Sequence, residues 1–420
     1  MMESVEEFSL RAESWLAENI PLRGRGADGG SVSDEDRYAQ ERMRQRQLFD
    51  AGLAGICFPK AYGGQGLDVE FQRAFNAVSV KYDVPVSLNF PTLAICAPTI
   101  MDLGTEHQRR EHLPAVLRGD EVICQLLSEP GCGSDLAGLR TRGDWDGGRW
   151  RITGSKVWSS GAHVSDYGFL LVRTNWDVPK HHGLTMFLLN MRQPGITVRQ
   201  IRQVNGASHF CEVFFDRAVV EATGVVGDVN DGWAVAKQHL AHERVAMGGG
   251  SPYVSGVGPA RRSKSGLGAL GEMARRTGRQ DDPRVREMLG EAHALIAVRD
   301  ALVTSIGVAM RTGRLPPSAA ALLRIQHAAT DWRLTDIGIR IAGSAGVVSA
   351  AAQDPGLQFG NRFLMRQATS IGGGTTEMAL NMISEQLLGM PREPALDKDV
   401  PFREVRGSKV AHGESTGSLG

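Results

Sequence analysis

The hydrophobic period of this chain changes twice, and this limits its fold more than any other property. Over residues 1–120 the pattern is helical. Ser4 with Glu7 three residues on is a capping-box signal, and Val5, Phe8, Ala12 and Trp15 then recur at helical steps. Residues 58–66 (FPKAYGGQG) break the pattern with a tight loop, and Thr105 is placed to cap a further helix. From 121 to 225 the runs turn short, and apolar or alternating: VICQLL (122–127), WRIT (150–153), GFLLVR (168–173), LTMFLL (184–189) and CEVFF (211–215), with turn residues between them. From about 230 helical patterning returns, most clearly over 285–311 and 318–342. The reading is mainly α with a central β-domain. It comprises an N-terminal helical domain (1–120), a β-domain (121–225) and a C-terminal helical bundle (226–392). A Gly-, Ser-, Lys- and Asp-rich tail (393–420) is expected to be disordered.

Composition narrows the class. The chain has 420 residues, enough for two or three cores. Lys and Arg total 47 and so do Asp and Glu, which argues against a broad nucleic-acid or anionic-membrane surface. Five cysteines (Cys57, Cys96, Cys124, Cys132, Cys211) show no metal-ligand spacing and read as reduced thiols of a cytoplasmic protein. Glu3, Glu6 and Glu7 argue against a signal peptide. No run is read as approaching the roughly 20 apolar residues of a spanning helix.

Two segments within the β-domain carry the chemistry. Residues 127–135 read LSEPGCGSD, and Pro130, Gly131 and Gly133 make this a loop with hydroxyls at Ser128 and Ser134. Residues 156–161 read KVWSSG and set the indole of Trp158 beside Ser159 and Ser160. Two hydroxyl-bearing loops and an aromatic wall suit a flavin ring. Each residue alone is more often structural; the ordered set is not.

This ordered pair resembles the acyl-CoA dehydrogenase family, and the resemblance covers about residues 1–392. It implies a small barrel or sandwich between two helical domains, and FAD as cofactor. By resemblance, Gln125, Leu127 and Ser128 lie along the flavin, Gly133 and Ser134 belong to its loop, Trp158 shields the ring and Ser160 meets its N5 side. Ser134 also faces the substrate. The family completes each FAD site from a neighbouring subunit. Arg275 and Thr277 (RRTG, 275–278) match its pyrophosphate segment, and Arg340 and Gly343 (RIAGSAG, 340–346) its adenine-side segment, although Arg340 replaces a frequent Gln. Thr375 and Glu377 (GGGTTE, 372–377) match the loop near the ribityl and adenosine portions.

The reaction requires a base for the proton alpha to the thioester. In many relatives it is a Glu in the C-terminal loop, where this chain has Gly373. A subset uses a Glu just before an Arg on the helix after the β-domain, which matches Glu243 here. That residue also falls on an apolar stripe with Trp233, Ala236, Leu240 and Met247, where an unpaired carboxylate is costly. The structural alternative is a hydrogen bond or salt bridge, with His239 one turn earlier as partner. Arg244 matches a residue near the CoA moiety. Residues 202–210 (RQVNGASHF) read equally as a substrate-mouth segment or a polar turn. Small residues at 247–252 leave room for a bulky acyl group. The resemblance is strongest to actinobacterial dehydrogenases, some acting on steroid side-chain CoA thioesters as α2β2 tetramers.

The expected function is FAD-dependent dehydrogenation of an acyl-CoA, with an electron-transferring flavoprotein as acceptor and a homotetramer or α2β2 heterotetramer as the assembly. No nucleic acid or membrane insertion is expected. Two other readings stay open: a non-catalytic or half-site partner subunit, and a flavin oxidase or monooxygenase on the same fold.

Overall fold

The computed structural model describes residues 3–23, 34–247, 251–253, 259–348, 355–395 and 397–405. The N-terminal part is helical: α1 (Val5–Asn19), α2 (Asp34–Asp50), α3 (Val69–Ser79), α4 (Val86–Pro91), α5 (Ala97–Leu103) and α6 (Glu106–Arg118). A π-helical turn, Thr92–Cys96, joins α4 to α5. Both expected caps form. Glu7 N donates to Ser4 Oγ at 3.2 Å while Ser4 N donates to Glu7 Oε2 at 2.8 Å. Thr105 and Gln108 repeat the arrangement at α6. Such a cap stabilises a helix by about 1 kcal/mol. α1 buries Phe8, Ala12 and Leu16 against Leu48, Leu53 and Phe75. The Gln108 amide also donates to the carbonyls of Thr223 (2.8 Å) and Val225 (2.9 Å), tying α6 to the end of the β-domain.

The β-domain is a sheet of eight strands among the described residues, and its path runs β6-β7-β3-β2-β4-β5-β8 with β1 on β4. These are β1 (Ile123–Leu126), β2 (Arg142–Asp146), β3 (Arg149–Ser160), β4 (Tyr167–Arg173), β5 (Leu184–Asn190), β6 (Ile196–Ile201), β7 (Phe210–Glu221) and β8 (Val225–Val226). β3 and β7 pair antiparallel along their length; β1 joins β4 in parallel. β4 is apolar throughout because both its faces are covered. Phe169 and Leu171 join a core shared with Leu113, Leu117 and Ala236, while Leu170 and Val172 join Trp150, Phe187 and Val213 on the other side. β2 and β6 have no apolar run to announce them, and both are largely exposed.

The helices then resume with α7 (Gly232–Met247), α8 (Pro259–Arg276), α9 (Pro283–Arg311), α10 (Ala320–Ala342), α11 (Pro355–Met365) and α12 (Thr376–Met382). α7 packs on the sheet through Val235 and Ala236, whereas α8, α9 and α10 share a separate core of Leu270, Met273, Val285, Ile337 and Ile341.

Two sequence expectations need correction. Within Pro283–Met310 of α9, an 18-residue window is long and apolar enough to span a membrane (mean hydropathy 1.4), although Arg299 and Asp300 interrupt this part of the helix and only 6% of the window is buried. The expected disorder from residue 393 also fails over 397–405. Phe402 is buried beneath the Arg173 guanidinium, 3.5 Å from its ring centre, and Lys180 Nζ donates to Asp397 at 2.9 Å. One aromatic and one carboxylate find partners on the β-domain that a composition count does not register. Residues 406–420 lie outside the described residues.

Candidate active site

The two loops singled out from sequence are laced together. Lys156, fully buried, donates to Leu127 O and to Glu129 Oε1, both at 2.9 Å. Val157 N donates to Ser128 O at 2.9 Å. Glu129 also accepts from the backbone N–H groups of Arg140 (2.7 Å) and Thr141 (2.8 Å). Burial acts to raise the Glu129 carboxyl, but the Lys156 ammonium and these donors outweigh it and hold the group below the usual range.

That anchorage sets Trp158. The β3–β7 register slips between Lys156 and Ser159, and Trp158 takes φ +62° in the slip. A left-handed conformation costs a bulky residue about 1–2 kcal/mol. The indole is not placed there to fill a core: it is 58% exposed, edge-on to Phe210 at 5.8 Å. Residues 203–207 form a turn closed by Gln203 N donating to Ala207 O, and beyond it His209 O accepts from Gly161 N. Nearby, β-carbons added at Gly131 or Gly133 would meet nothing within 4 Å. Among the described residues the hydroxyls of Ser128, Ser134 and Ser160 make no hydrogen bond within the chain. An exposed strained indole, open glycines and three unengaged hydroxyls match the needs of a flat polar ring, so the residues present suit FAD.

Glu243 lies on α7, and the sheet supplies its partner. Gln125 Nε2 of β1 donates to Glu243 Oε2 at 3.0 Å and contacts His239 Nε2 at 2.9 Å. The residue keeps some exposure, but its carboxyl is enclosed. Burial pushes the carboxyl up, against the lowering effects of the Gln125 hydrogen bond and the Arg244 charge. His239 is fully buried, stacked on Phe169 at 4.9 Å with 6° between the rings, and burial pushes it down to about 3. The structural alternative for Glu243 named His239 as its partner; here Gln125 stands between them. Gln125 therefore spends its side-chain amide on α7. The stripe from sequence holds at Trp233, Ala236 and Leu240, which join the core under α7. Arg244 is exposed.

Of the segments matched to the dinucleotide, the first two meet at the C-terminal end of α10, while the third lies by its N-terminal end, where Arg324 contacts Gly372 and Gly374. Arg279 donates to Arg340 O (3.0 Å) and Ile341 O (3.3 Å), drawing the end of α8 to the end of α10. Arg275 is exposed and paired with Glu272, Thr277 donates back to Met273 O, and Arg340 pairs with Asp336 at 3.2 Å. Gly343 ends α10 at φ +57°. Thr375 caps α12, and Glu377 is exposed in its first turn. The alternative base position, Gly373, has φ +72°, and Arg324 donates to the carbonyls on either side of it, Gly372 and Gly374. That backbone suits glycine rather than a glutamate. Of the roomy segment 247–252, residues 248–250 lie outside the described residues. Ser251 is buried, and Tyr253 beyond it packs on Phe58 at 4.7 Å.

Sequence reasoning missed Thr99. It lies on α5 and touches His239 across 140 residues of chain, and no local pattern marks it.

Comparison with known proteins covers the same ground. Three family models match in order: "Acyl-CoA dehydrogenase, N-terminal domain" over residues 6–120, "middle domain" over 124–218 and "C-terminal domain" over 230–388. The acyl-CoA dehydrogenase IpdE1 of Mycobacterium tuberculosis is 35% identical over 399 residues, covering 93% of this chain and 99% of that protein. Among solved structures, a Tcur3481–Tcur3483 steroid ACAD superposes with TM-score 0.75 at 27% identity, covering 94% of this chain and 99% of that one. The ChsE4–ChsE5 complex from Mycobacterium tuberculosis follows with TM-score 0.72 at 26% identity, covering 94% and 100%.

Proposed function

We propose that this chain, which belongs to the acyl-CoA dehydrogenase family, oxidises an acyl-CoA thioester between its alpha and beta carbons with Glu243 as the base. The observation that supports this reading best is the Glu243 carboxyl, enclosed on α7 with a raised affinity for protons, while the other base position is Gly373. A carboxylate in that setting abstracts a proton more strongly than one in water, and held beside the alpha carbon it takes that proton as the beta hydrogen leaves with its electron pair.

Members of this family are flavoproteins, and FAD supplies the acceptor for that hydride. In this chain Trp158 would cover its ring, while Ser128, Ser160 and the backbone around Leu127 and Gly133 would hold its polar edge. Ser134 and Arg244 would meet the substrate. Arg275, Thr277, Arg340, Gly343, Thr375 and Glu377 would serve the dinucleotide of a neighbouring subunit's site. An electron-transferring flavoprotein would receive the electrons.

The apolar exposed surface of α9 supports an assembly of several chains. Val298 and Val303, on different sides of this helix, are both exposed. In a bilayer the Arg299 and Asp300 charges at its middle would each cost about 3 kcal/mol, so helix–helix packing is the better use of the surface. The likeness to the ChsE4–ChsE5 complex and to the steroid ACAD makes a mixed tetramer the alternative to a homotetramer, and puts steroid CoA thioesters on the substrate panel.

The test is anaerobic titration of the purified yellow protein with straight, branched and steroid side-chain acyl-CoAs. Bleaching of the flavin by one class names the substrate. No bleaching by any of them, with one FAD per chain, would overturn the catalytic reading.

A further inference from the structure

We propose that Thr99, His239 and Gln125 form a fixed hydrogen-bond relay whose direction positions the Gln125 amide and sets the proton affinity of Glu243; this rests on Glu243 as the base. The direction follows from counting protons. Thr99 Oγ1 is 2.7 Å from Ile95 O and 3.1 Å from His239 Nδ1. Ile95 O can only accept, so the Thr99 hydroxyl donates there and accepts from His239 Nδ1–H. A neutral imidazole with its proton on Nδ1 presents a lone pair at Nε2. That nitrogen lies 2.9 Å from Gln125 Nε2, so the amide donates to it with one hydrogen and to Glu243 Oε2 with the other. The network therefore fixes which end of the Gln125 amide faces the carboxylate. His239 stays neutral in this setting, so it contributes orientation and no charge. Thr99, His239 and Gln125 are positioning residues; none of them takes the substrate proton.

The other charged or titratable groups around α7 leave this relay as the adjustable element. Arg244 sits beside Glu243 on α7 itself. His242 points to Asp102 of α5 at 2.9 Å. Cys96, from the π-helical turn, is buried, and burial keeps its thiol protonated. Cys124, next to Gln125 on β1, belongs to the core on the opposite side of the sheet.

Removing the Thr99 hydroxyl acts at a distance. In Thr99→Val the Nδ1–H loses its acceptor and the imidazole proton moves to Nε2. The Gln125 amide then turns its oxygen towards that proton, and the same oxygen now faces the Glu243 carboxylate. Repulsion replaces a hydrogen bond, so Glu243 holds its proton to higher pH. Gln125→Leu does the same directly.

The test reads Glu243 in the holoenzyme by infrared difference titration, its carboxylic acid band assigned by its loss in Glu243→Gln, alongside the pH profile of kcat/KM. In Thr99→Val and Gln125→Leu the band persists to higher pH. The rate on the acid limb falls about tenfold and recovers as pH rises, as loss of one charge-assisted hydrogen bond implies. Thr99→Ser, which keeps the hydroxyl, leaves the titration at the wild-type position. An unmoved Glu243 titration in Thr99→Val, with FAD content and melting temperature retained, overturns the relay. Should the band move while the rate profile stays fixed, the relay stands and Glu243 is not the base.

Discussion

At the scale of single residues, the site consists of groups held where they are least comfortable. Trp158 is exposed at positive φ, and Glu243 is an enclosed carboxyl that burial pushes towards its protonated form. Such strain persists where the surroundings over-determine it. Two predictions follow from that balance. Trp158→Gly removes the backbone penalty, so the apoprotein should gain about 1 kcal/mol in urea unfolding while its FAD dissociation constant rises. For Glu243 the folded state binds the proton more tightly than the unfolded chain does. Its charge therefore lowers stability as pH rises past the unfolded value near 4.3. Glu243→Gln should melt at the same temperature as wild type in acid and increasingly above it towards pH 8. A difference that shrinks with rising pH contradicts an enclosed carboxylate.

Elements position these residues by ties that cross the sequence. Lys156 joins the loop after β1 to β3 through Leu127 O and Glu129. Lys156→Met leaves Glu129 buried without its cation and should cost about 3–5 kcal/mol in chemical denaturation, with FAD retention falling in parallel. What was legible in the sequence was local. The caps at Ser4 and Thr105 depend on residues three apart, and the apolar runs of β4 and β5 on adjacent ones. β2 was not legible, because its charged sequence presents no face to a core. The two hydroxyl-bearing loops were legible as an ordered motif, and Glu243 as a carboxyl on an apolar stripe. The partner of Glu243 was not. Gln125 is 118 residues away and reads equally well as a strand residue facing any ligand. Composition marked residues 393–420 as featureless, yet Phe402 inserts beneath Arg173. Phe402→Ala should cost about 3 kcal/mol in unfolding free energy, measured on the full chain.

For the whole molecule, the exposed apolar surface of α9 is what a single chain leaves unsatisfied. Val298→Glu with Val303→Glu should convert the assembled protein to smaller species in sedimentation. If neighbouring subunits complete each flavin site, those species lose FAD together with their partners. An assembly that falls apart yet keeps FAD would place the whole site within one chain. The relay through Thr99, the laced loops and the α9 surface act at different levels, but each matters only if Glu243 removes a proton from bound substrate. The most direct measurement is anaerobic reduction of the Glu243→Gln holoenzyme by the acyl-CoA that bleaches wild type. The account predicts unchanged FAD content with the bleaching rate reduced at least about 100-fold. Bleaching at the wild-type rate would contradict it.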